Sequence, residues 1–236
     1  MKQVFRVFWG CTLAAALTLT GCGRGGAPGS SGAGSMSGSG SGAMSGGTAG
    51  QEQAWRTGLG VVTEATGSDR AGKITTAAAA VVLDADGINA LSGHIDLLDA
   101  RRGRPTVLTP HEVEFARIGG DLSRGDRERA AQDFAMAHGC VLVLKGHRTV
   151  TASPEGDVLV NTTGGSGLAK GGSGDVLTGV IASLMAQRAD ALRAAAVGVW
   201  LHGRAGDLAE QELTAYSVTP EDVVRKLPDA IREILE

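Results

Sequence analysis

The residues with the clearest chemical potential lie in a glycine-rich segment that opens a helical pattern. Gly171, Gly172 and Gly174 surround Ser173, and Asp175 follows them. Small residues let the backbone approach a ligand closely, and the first amides of a helix have no partner within the helix. The helix dipole adds partial positive charge at that end. The segment therefore predicts a phosphate site at the amides of Gly172, Ser173 and Gly174, beside an acidic side chain.

Two common phosphate-binding motifs do not account for this segment. A P-loop needs glycine before its lysine and serine or threonine after it, whereas Ala169 precedes Lys170 and Gly171 follows it. The dinucleotide fingerprint GxGxxG does not fit either. In isolation, Asp175 would also be an ordinary partner of the helix dipole, so its role depends on the residues around it.

The elements that must position this segment alternate between short apolar runs and helical periodicity. This alternation predicts an α/β fold with a largely parallel sheet and flanking helices. In such sheets ligands bind beyond the carboxyl ends of the strands, where chemically capable residues occur here. The predicted strands are 77–83, Thr106–Leu108, Val141–Leu144 and Val158–Val160. The predicted helices are 124–138, 175–187, 192–213 and one after Thr219. The residues that follow the predicted strands are Asp84, Asp86, His111 and Lys145.

The C-terminal helix carries a clear start signal. Thr219 is suited to cap the helix, Pro220 occupies its first position, and Asp222 follows three residues after the cap. This arrangement predicts a reciprocal capping interaction between Thr219 and Asp222.

Composition excludes several classes of function. The formal net charge of −3 and the 3% aromatic content argue against a nucleic-acid partner, which needs a basic face or stacking platforms. The cysteines Cys11, Cys22 and Cys140 form no CxxC or Cys/His cluster, so a structural zinc site is not expected. Cys140 lies beside an apolar run and is interpreted as a small core residue.

The N-terminal part differs in composition from the rest of the chain. Lys2 and Arg6 precede a short apolar stretch that ends in Leu-Thr-Gly before Cys22, as in a bacterial lipoprotein signal. A Gly/Ser-rich stretch follows and is expected to be a linker. The predicted organisation is a signal-like segment 1–22, a linker 23–57 and a domain 58–236. The alternatives for the first two parts are a lipid-anchored tether and a misassigned gene start.

Four blocks of the domain resemble the ADP-dependent (S)-NAD(P)H-hydrate dehydratase family, a branch of the ribokinase-like superfamily. In the family's order, the blocks are 82–91, 108–111, Lys145-Gly146 with Thr149, and 161–177. The resemblance extends from about Gly58 to the C-terminus and implies a ribokinase-like domain. It also implies further strands before Gly58, so we expect the N-terminal part of the usual domain to be truncated or divergent.

The resemblance implies repair of NADH or NADPH that carries added water on the nicotinamide ring. ADP would phosphorylate the hydroxyl, and elimination would then restore the cofactor and release AMP and phosphate. Asp175 would accept the hydroxyl proton and contact the substrate, and His111 would also contact the substrate. The amides of residues 172–174 would stabilise the transferring group.

The resemblance further implies a nucleotide-binding surface. The residues that would contact the AMP portion are Lys145, Gly146, His147, Arg148, Thr149 and Gly174. Mg²⁺ would bridge the phosphates, since it typically binds through them and a few carboxylates. Its protein ligands are not assigned, and Asp84 and Asp86 are secondary candidates for metal or substrate contact. His94, His138 and His202 are interpreted as structural.

Two blocks depart from the family pattern. Glu112 and Val113 stand before Glu114 where Pro-Gly-Glu is expected after His111. His147 and Arg148 replace small residues, and an arginine there is able to pair with a phosphate.

Alternative functions stay open at this point. One is a related ribokinase-like small-molecule kinase, and another is an inactive lipid-anchored fragment. For the dehydratase, the resemblance implies a partnership with an NAD(P)H-hydrate epimerase, and both a monomer and a homo-oligomer are compatible with the sequence. This function implies a cytoplasmic location, with a membrane anchor at Cys22 as the alternative.

Overall fold

A computed structural model describes residues 59–62 and 79–236. The predicted signal-like segment 1–22, with Cys11 and Cys22, and the predicted linker 23–57 lie outside the described residues. The described part of the domain begins with a strand at Leu59–Val62.

In the described part of the chain, a six-stranded sheet forms the framework and confirms the largely parallel α/β fold. The strands lie in chain order across the sheet, β1 to β4 in parallel and β5 and β6 antiparallel. Strand β5 was not predicted, because three residues between two turns are too short for a clear periodicity. The strands are β1 Leu59–Val62, β2 Ala80–Leu83, β3 Thr106–Leu108, β4 Val141–Leu144, β5 Val150–Ala152 and β6 Val158–Val160.

Helices cover both faces of the sheet, which explains why its strands are apolar at successive positions. Val81 and Leu83 face one core, whereas Val82 faces the other. The helices are α1 Asp86–Asn89, α2 Glu112–Arg117, α3 Arg127–His138, α4 Ser173–Ala186, α5 Ala191–Leu213 and α6 Pro220–Leu235, with 3₁₀ helices at Ile95–Arg101 and Ser166–Leu168. Helix α3 packs on the first face, and α4 and α5 pack on the second.

Side-chain caps set several helix starts. Asp126 accepts from Arg129 N at the start of α3, and Gly139 ends that helix in a left-handed conformation. The predicted α6 cap is confirmed, because Thr219 N donates to Asp222 Oδ2 at 3.0 Å and Asp222 N donates to Thr219 Oγ1 at 3.4 Å.

None of the helices among the described residues combines the length and apolar character needed to cross a bilayer.

Candidate functional site

The carboxyl ends of β2 and β4 bring an acid and a base together. Lys145 Nζ lies 2.8 Å from Asp84 Oδ1, and Thr178 on α4 donates to Asp84 Oδ2 at 2.9 Å. Asp84 is only 2% exposed. A buried carboxylate needs such partners, so Asp84 and Thr178 hold the Lys145 ammonium in a fixed position. Thr178 carried no sequence signal, because its partner lies 94 positions away.

A second buried carboxylate, Glu114, connects Lys145 to the start of α2. Glu114 Oε2 accepts from His111 N at 2.8 Å and lies 3.8 Å from Lys145 Nζ. His111 Nδ1 in turn accepts from Val113 N and Glu114 N at 3.1 and 3.2 Å. The cap therefore places the ring proton of His111 on Nε2, which lies 3.5 Å from Glu114 Oε1.

Glu114 is a site residue that the sequence patterns do not indicate. The available signal was its spacing, since a cap residue followed three positions later by Glu is the pattern of a capping box. Here a histidine replaces the usual Ser, Thr, Asp or Asn, which concealed the pattern. His111 thus has a structural task as the α2 cap, while its side chain stays 51% exposed.

The glycine-rich segment turns sharply into α4. Gly172 adopts a left-handed conformation with φ of 88°, and a Cβ there would lie 3.0 Å from Pro220 Cγ. Helix α4 begins at Ser173, earlier than predicted, and the Ser173 amide donates to Lys170 O at 3.3 Å. The Lys170 ammonium also donates to the carbonyl oxygens of Tyr216 and Val218. This turn is therefore fixed against the connection between α5 and α6.

The start of α4 faces the buried acid–base pair. A Cβ at Gly174 would lie 3.5 Å from both Lys145 Nζ and Asp84 Oδ2. Among the described residues, the amides of Gly174 and Asp175 have no hydrogen-bond acceptor, and the exposed Asp175 carboxylate has no polar partner. The helix start, with two free amides and the positive end of the dipole, thus lies close to an ammonium, which is an arrangement suited to an anion.

Ser173 makes a buried contact that the sequence did not indicate. Its Oγ lies 3.1 Å from His202 Nε2 on α5, and both side chains are buried. Burial lowers the pKa of His202 to about 4, so the imidazole is neutral at neutral pH. The structural interpretation of His202 is consistent with this contact, which fixes the first residue of α4.

Helix α5 also holds the preceding loop, residues 161–168. The contacts are Thr163 Oγ1 to Trp200 O at 3.0 Å, Gly164 N to Asp207 Oδ1 at 3.0 Å and Gly167 N to Glu210 Oε1 at 2.6 Å. The amides of Gly164 and Gly167 are therefore occupied by protein carboxylates. Because these loop amides are occupied, the start of α4 is better suited to bind an anion than the rest of the 161–177 block.

The predicted nucleotide-contacting residues form the turn between β4 and β5. Thr149 Oγ1 donates to Gly146 O at 3.1 Å and closes the turn. His147 and Arg148 are exposed at its tip, where they line a groove of about 420 Å³ together with the start of α3. Lys145 begins the turn and also lies beside the start of α4. The predicted nucleotide-binding residues and the start of α4 therefore lie at the same end of the sheet.

Among the described residues, the carboxylates beside Lys145 form no closed metal site. The described residues contain no group of three His, Cys, Asp or Glu side chains arranged to hold a metal. Asp84 and Glu114 lie close by, but the oxygens of both already have partners. Asp86 contacts Asn89 Nδ2 at 3.5 Å and is not linked to this cluster by any described contact. Mg²⁺ commonly takes one or two carboxylates and completes its shell with phosphates and water.

Solved structures identify the architecture as ribokinase-like. A ribokinase-like superfamily protein of Enterococcus faecalis is 25% identical with a TM-score of 0.62, over 75% of this chain and 63% of that one. A Bacillus subtilis ADP/ATP-dependent NAD(P)H-hydrate dehydratase, co-crystallised with ATP and Mg²⁺, is 29% identical with a TM-score of 0.62, over 76% of this chain and 65% of that one.

The sequence comparisons identify the family within this class. The model of the NAD(P)H-hydrate dehydratase family matches residues 43–229, and the chain belongs to this family. The ADP-dependent (S)-NAD(P)H-hydrate dehydratase of Neisseria meningitidis is 44% identical over 135 residues. The bifunctional NAD(P)H-hydrate repair enzyme of Gloeobacter violaceus is 46% identical over 145 residues. The family and fold expected from the sequence are thus confirmed.

The aligned part of the chain is shorter than these relatives. It corresponds to 56% of this chain and 46% of the Neisseria protein, and to 61% of this chain and 28% of the Gloeobacter protein. The family match begins inside the predicted linker 23–57, whose boundaries stay a prediction.

Proposed function

We propose that the protein performs ADP-dependent dehydration of hydrated NADH or NADPH. The observation that carries this proposal is that the start of α4, with the free Gly174 and Asp175 amides, lies beside the fixed Lys145 ammonium. These groups provide positive charge for a phosphoryl group beside an unpaired carboxylate. Family membership supports the dehydratase over a small-molecule kinase or an inactive fragment.

The proposed reaction assigns a role to each of these groups. Asp175 accepts the proton of the substrate hydroxyl, whose oxygen attacks the β-phosphorus of ADP, and AMP leaves with the bridging oxygen. The Gly174 and Asp175 amides and Lys145 stabilise charge on the transferring group. The substrate's C–O bond then breaks, with loss of a ring proton, to give phosphate and the restored dihydronicotinamide. Mg²⁺ supplies charge neutralisation at the phosphates when it is bound.

The remaining predicted contacts complete the proposal. The turn Lys145, Gly146, His147, Arg148 and Thr149 contacts the AMP portion of ADP. His111 contacts the hydrated nicotinamide through Nε2 or its exposed ring edge, because Nδ1 is occupied by the α2 cap. Gly172 and Ser173 shape the anion site, and the amide of Ser173 is already bonded within the turn.

Recovery of NADH absorbance from the hydrate by the purified chain tests this proposal. We expect recovery with ADP and Mg²⁺, equimolar formation of AMP and phosphate, and no recovery without nucleotide. A phosphorylated hydroxymethyl heterocycle without NADH recovery would establish the kinase alternative. Absence of both reactions and of nucleotide binding would leave the inactive-fragment interpretation.

We also propose a functional partnership with an NAD(P)H-hydrate epimerase, supported by the relatives named as bifunctional repair enzymes. With a mixture of hydrate epimers, we expect NADH recovery to stop when one of the two epimers has been consumed. Addition of an epimerase should carry it to completion, and full recovery without epimerase would contradict the proposed stereospecificity.

The proposed cytoplasmic location follows from the supply of ADP.

A further inference from the structure

Arg127, at the start of α3, binds the turn that the proposed function assigns to the nucleotide. Its Nη1 donates to His147 O at 2.9 Å, and its Nη2 donates to Lys145 O at 3.1 Å and Leu144 O at 3.4 Å. One guanidinium thus contacts three main-chain carbonyl groups of the turn and of the strand end before it. Arg127 is not among the residues indicated by the family resemblance.

The turn has a matching space for this guanidinium. A Cβ at position 146 would lie 2.5 Å from Arg127 Nη2, closer than real Cβ contacts allow. Because position 146 is a glycine, Arg127 is able to reach the carbonyl groups of the residues on either side of it. The absence of a side chain at Gly146 and the position of Arg127 depend on each other.

A carboxylate holds Arg127 from the other side. Glu112 Oε1 lies 3.2 Å from Arg127 Nε, in an ion pair without hydrogen-bond geometry. Glu112 is the first residue of α2, which also contains Glu114 beside Lys145. Arg127 therefore connects the starts of α2 and α3 to the turn.

Peptide planarity gives these contacts a consequence for ligand binding. Each carbonyl points away from the amide of the following residue, so fixing the Lys145 and His147 carbonyls also fixes the Gly146 and Arg148 amides. These two amides have no acceptor among the described residues. They face away from the guanidinium and are available to oxygen atoms of a ligand.

We propose that Arg127 is a positioning residue that orients the Gly146 and Arg148 amides toward the phosphate or ribose oxygens of a nucleoside diphosphate. The inference rests on the proposed nucleotide site, but it concerns a residue outside that site. Arg127 acts through the main chain of the turn and does not itself take part in the reaction.

The test compares the affinity of the purified full chain for AMP and ADP between the wild type and four variants. In Arg127→Lys and Arg127→Ala, we expect nucleotide affinity to fall about tenfold or more, since a small misplacement of binding groups is costly. The lysine variant keeps the charge but cannot bind all three carbonyl groups in the planar geometry of a guanidinium. We also expect faster hydrogen exchange at the Gly146 and Arg148 amides, and a raised KM for ADP with a nearly unchanged KM for the hydrate.

Two matched controls separate positioning from other effects. Arg124→Ala removes a positive charge that lines the same groove, and Arg129→Ala removes an exposed α3 arginine that pairs with Asp133. Arg129→Ala should bind nucleotide like the wild type, and Arg124→Ala should lose less affinity than Arg127→Lys. Equal losses in Arg124→Ala and Arg127→Ala, with wild-type affinity in Arg127→Lys, would assign the effect to charge and overturn the inference.

The outcomes distinguish this inference from the function on which it rests. If the wild type binds no AMP or ADP, the proposed function fails, and the inference fails with it. If the wild type binds and both Arg127 variants bind equally well, only the inference is overturned. Should Arg127→Ala unfold, Arg127→Lys and Glu112→Gln provide the same comparison, with folding checked by urea denaturation.

Discussion

At the residue scale, the site depends on the difference between side chains that have partners and those that do not. Asp84, Glu114 and Lys145 satisfy one another in a mostly buried cluster. Asp175 is exposed and has no polar partner among the described residues. A side chain without internal partners is free to interact with a substrate, whereas the buried cluster supplies fixed charge.

Asp175 should be essential for turnover but not for nucleotide binding. In Asp175→Asn we expect kcat to fall by about a hundredfold or more, the usual contribution of a general base. The dissociation constant for AMP should change little, because the free amides at the start of α4 remain. Single-turnover kinetics and equilibrium binding check this, and joint loss of binding and folding would indicate a structural aspartate instead.

The Asp84–Lys145 pair should show strong coupling in stability. Lys145→Met leaves the Asp84 carboxylate buried with Thr178 as its one remaining partner among the described residues, so we expect a loss of about 3 kcal/mol. The double variant with Asp84→Asn should recover much of this loss, because the uncompensated charge is gone. Urea unfolding of the single and double variants measures the coupling, and strictly additive losses would contradict the inferred interaction.

At the element scale, α5 is the support for the glycine-rich region. It fixes Ser173 through His202 and holds the loop 161–168 through Asp207 and Glu210. Its glycines let the loop approach closely, since a Cβ at Gly203 would lie 2.3 Å from Thr163 Oγ1. The helix therefore determines the loop position as well as covering one face of the sheet.

Glycine-to-alanine substitutions on two helices should have opposite effects. Gly203→Ala should destabilise the protein by about 1–3 kcal/mol, because the loop would have to move. Gly179→Ala on α4 is the matched control, since its Cβ would meet nothing within 4 Å. We expect that variant to gain about 0.5–1 kcal/mol from helix propensity. Thermal and urea denaturation test the pair, and equal effects would contradict the close α5–loop approach.

At the scale of the whole molecule, both faces of the sheet are buried by helices, and buried titratable groups contribute to the stability of the fold. His202 has its pKa lowered to about 4, mainly by burial. Burial also raises the pKa of the Cys140 thiol to about 12, so this cysteine should resist alkylation in the native protein.

Stability should fall on acidification in part because of His202. Its pKa in the folded state lies below the ordinary value of 6.5, so the unfolded chain binds the proton more readily. The stabilising contribution is complete above about pH 6.5 and declines by up to about 1.4 kcal/mol per unit as the pH falls towards 4. His202→Asn should flatten this dependence in urea unfolding at pH 7 and 5.

The exposed His94 provides the control for this pH dependence. His94→Asn should retain the wild-type slope of unfolding free energy against pH. The slope will not vanish entirely in His202→Asn, because burial also lowers the pKa of His138. An unchanged slope in His202→Asn would show that His202 is not held neutral in the folded protein.

The sequence by itself determined the α/β class, most of the strands and helices, and the glycine-rich start of α4. Apolar periodicity, capping residues and strand-end positions are local properties, so they can be recognised along the chain. Only the tertiary structure revealed that Asp84 joins Lys145 and Thr178, that Ser173 meets His202, and that Arg127 holds the nucleotide turn. These partners are 18 to 94 positions apart, and contacts over such separations depend on how the elements pack.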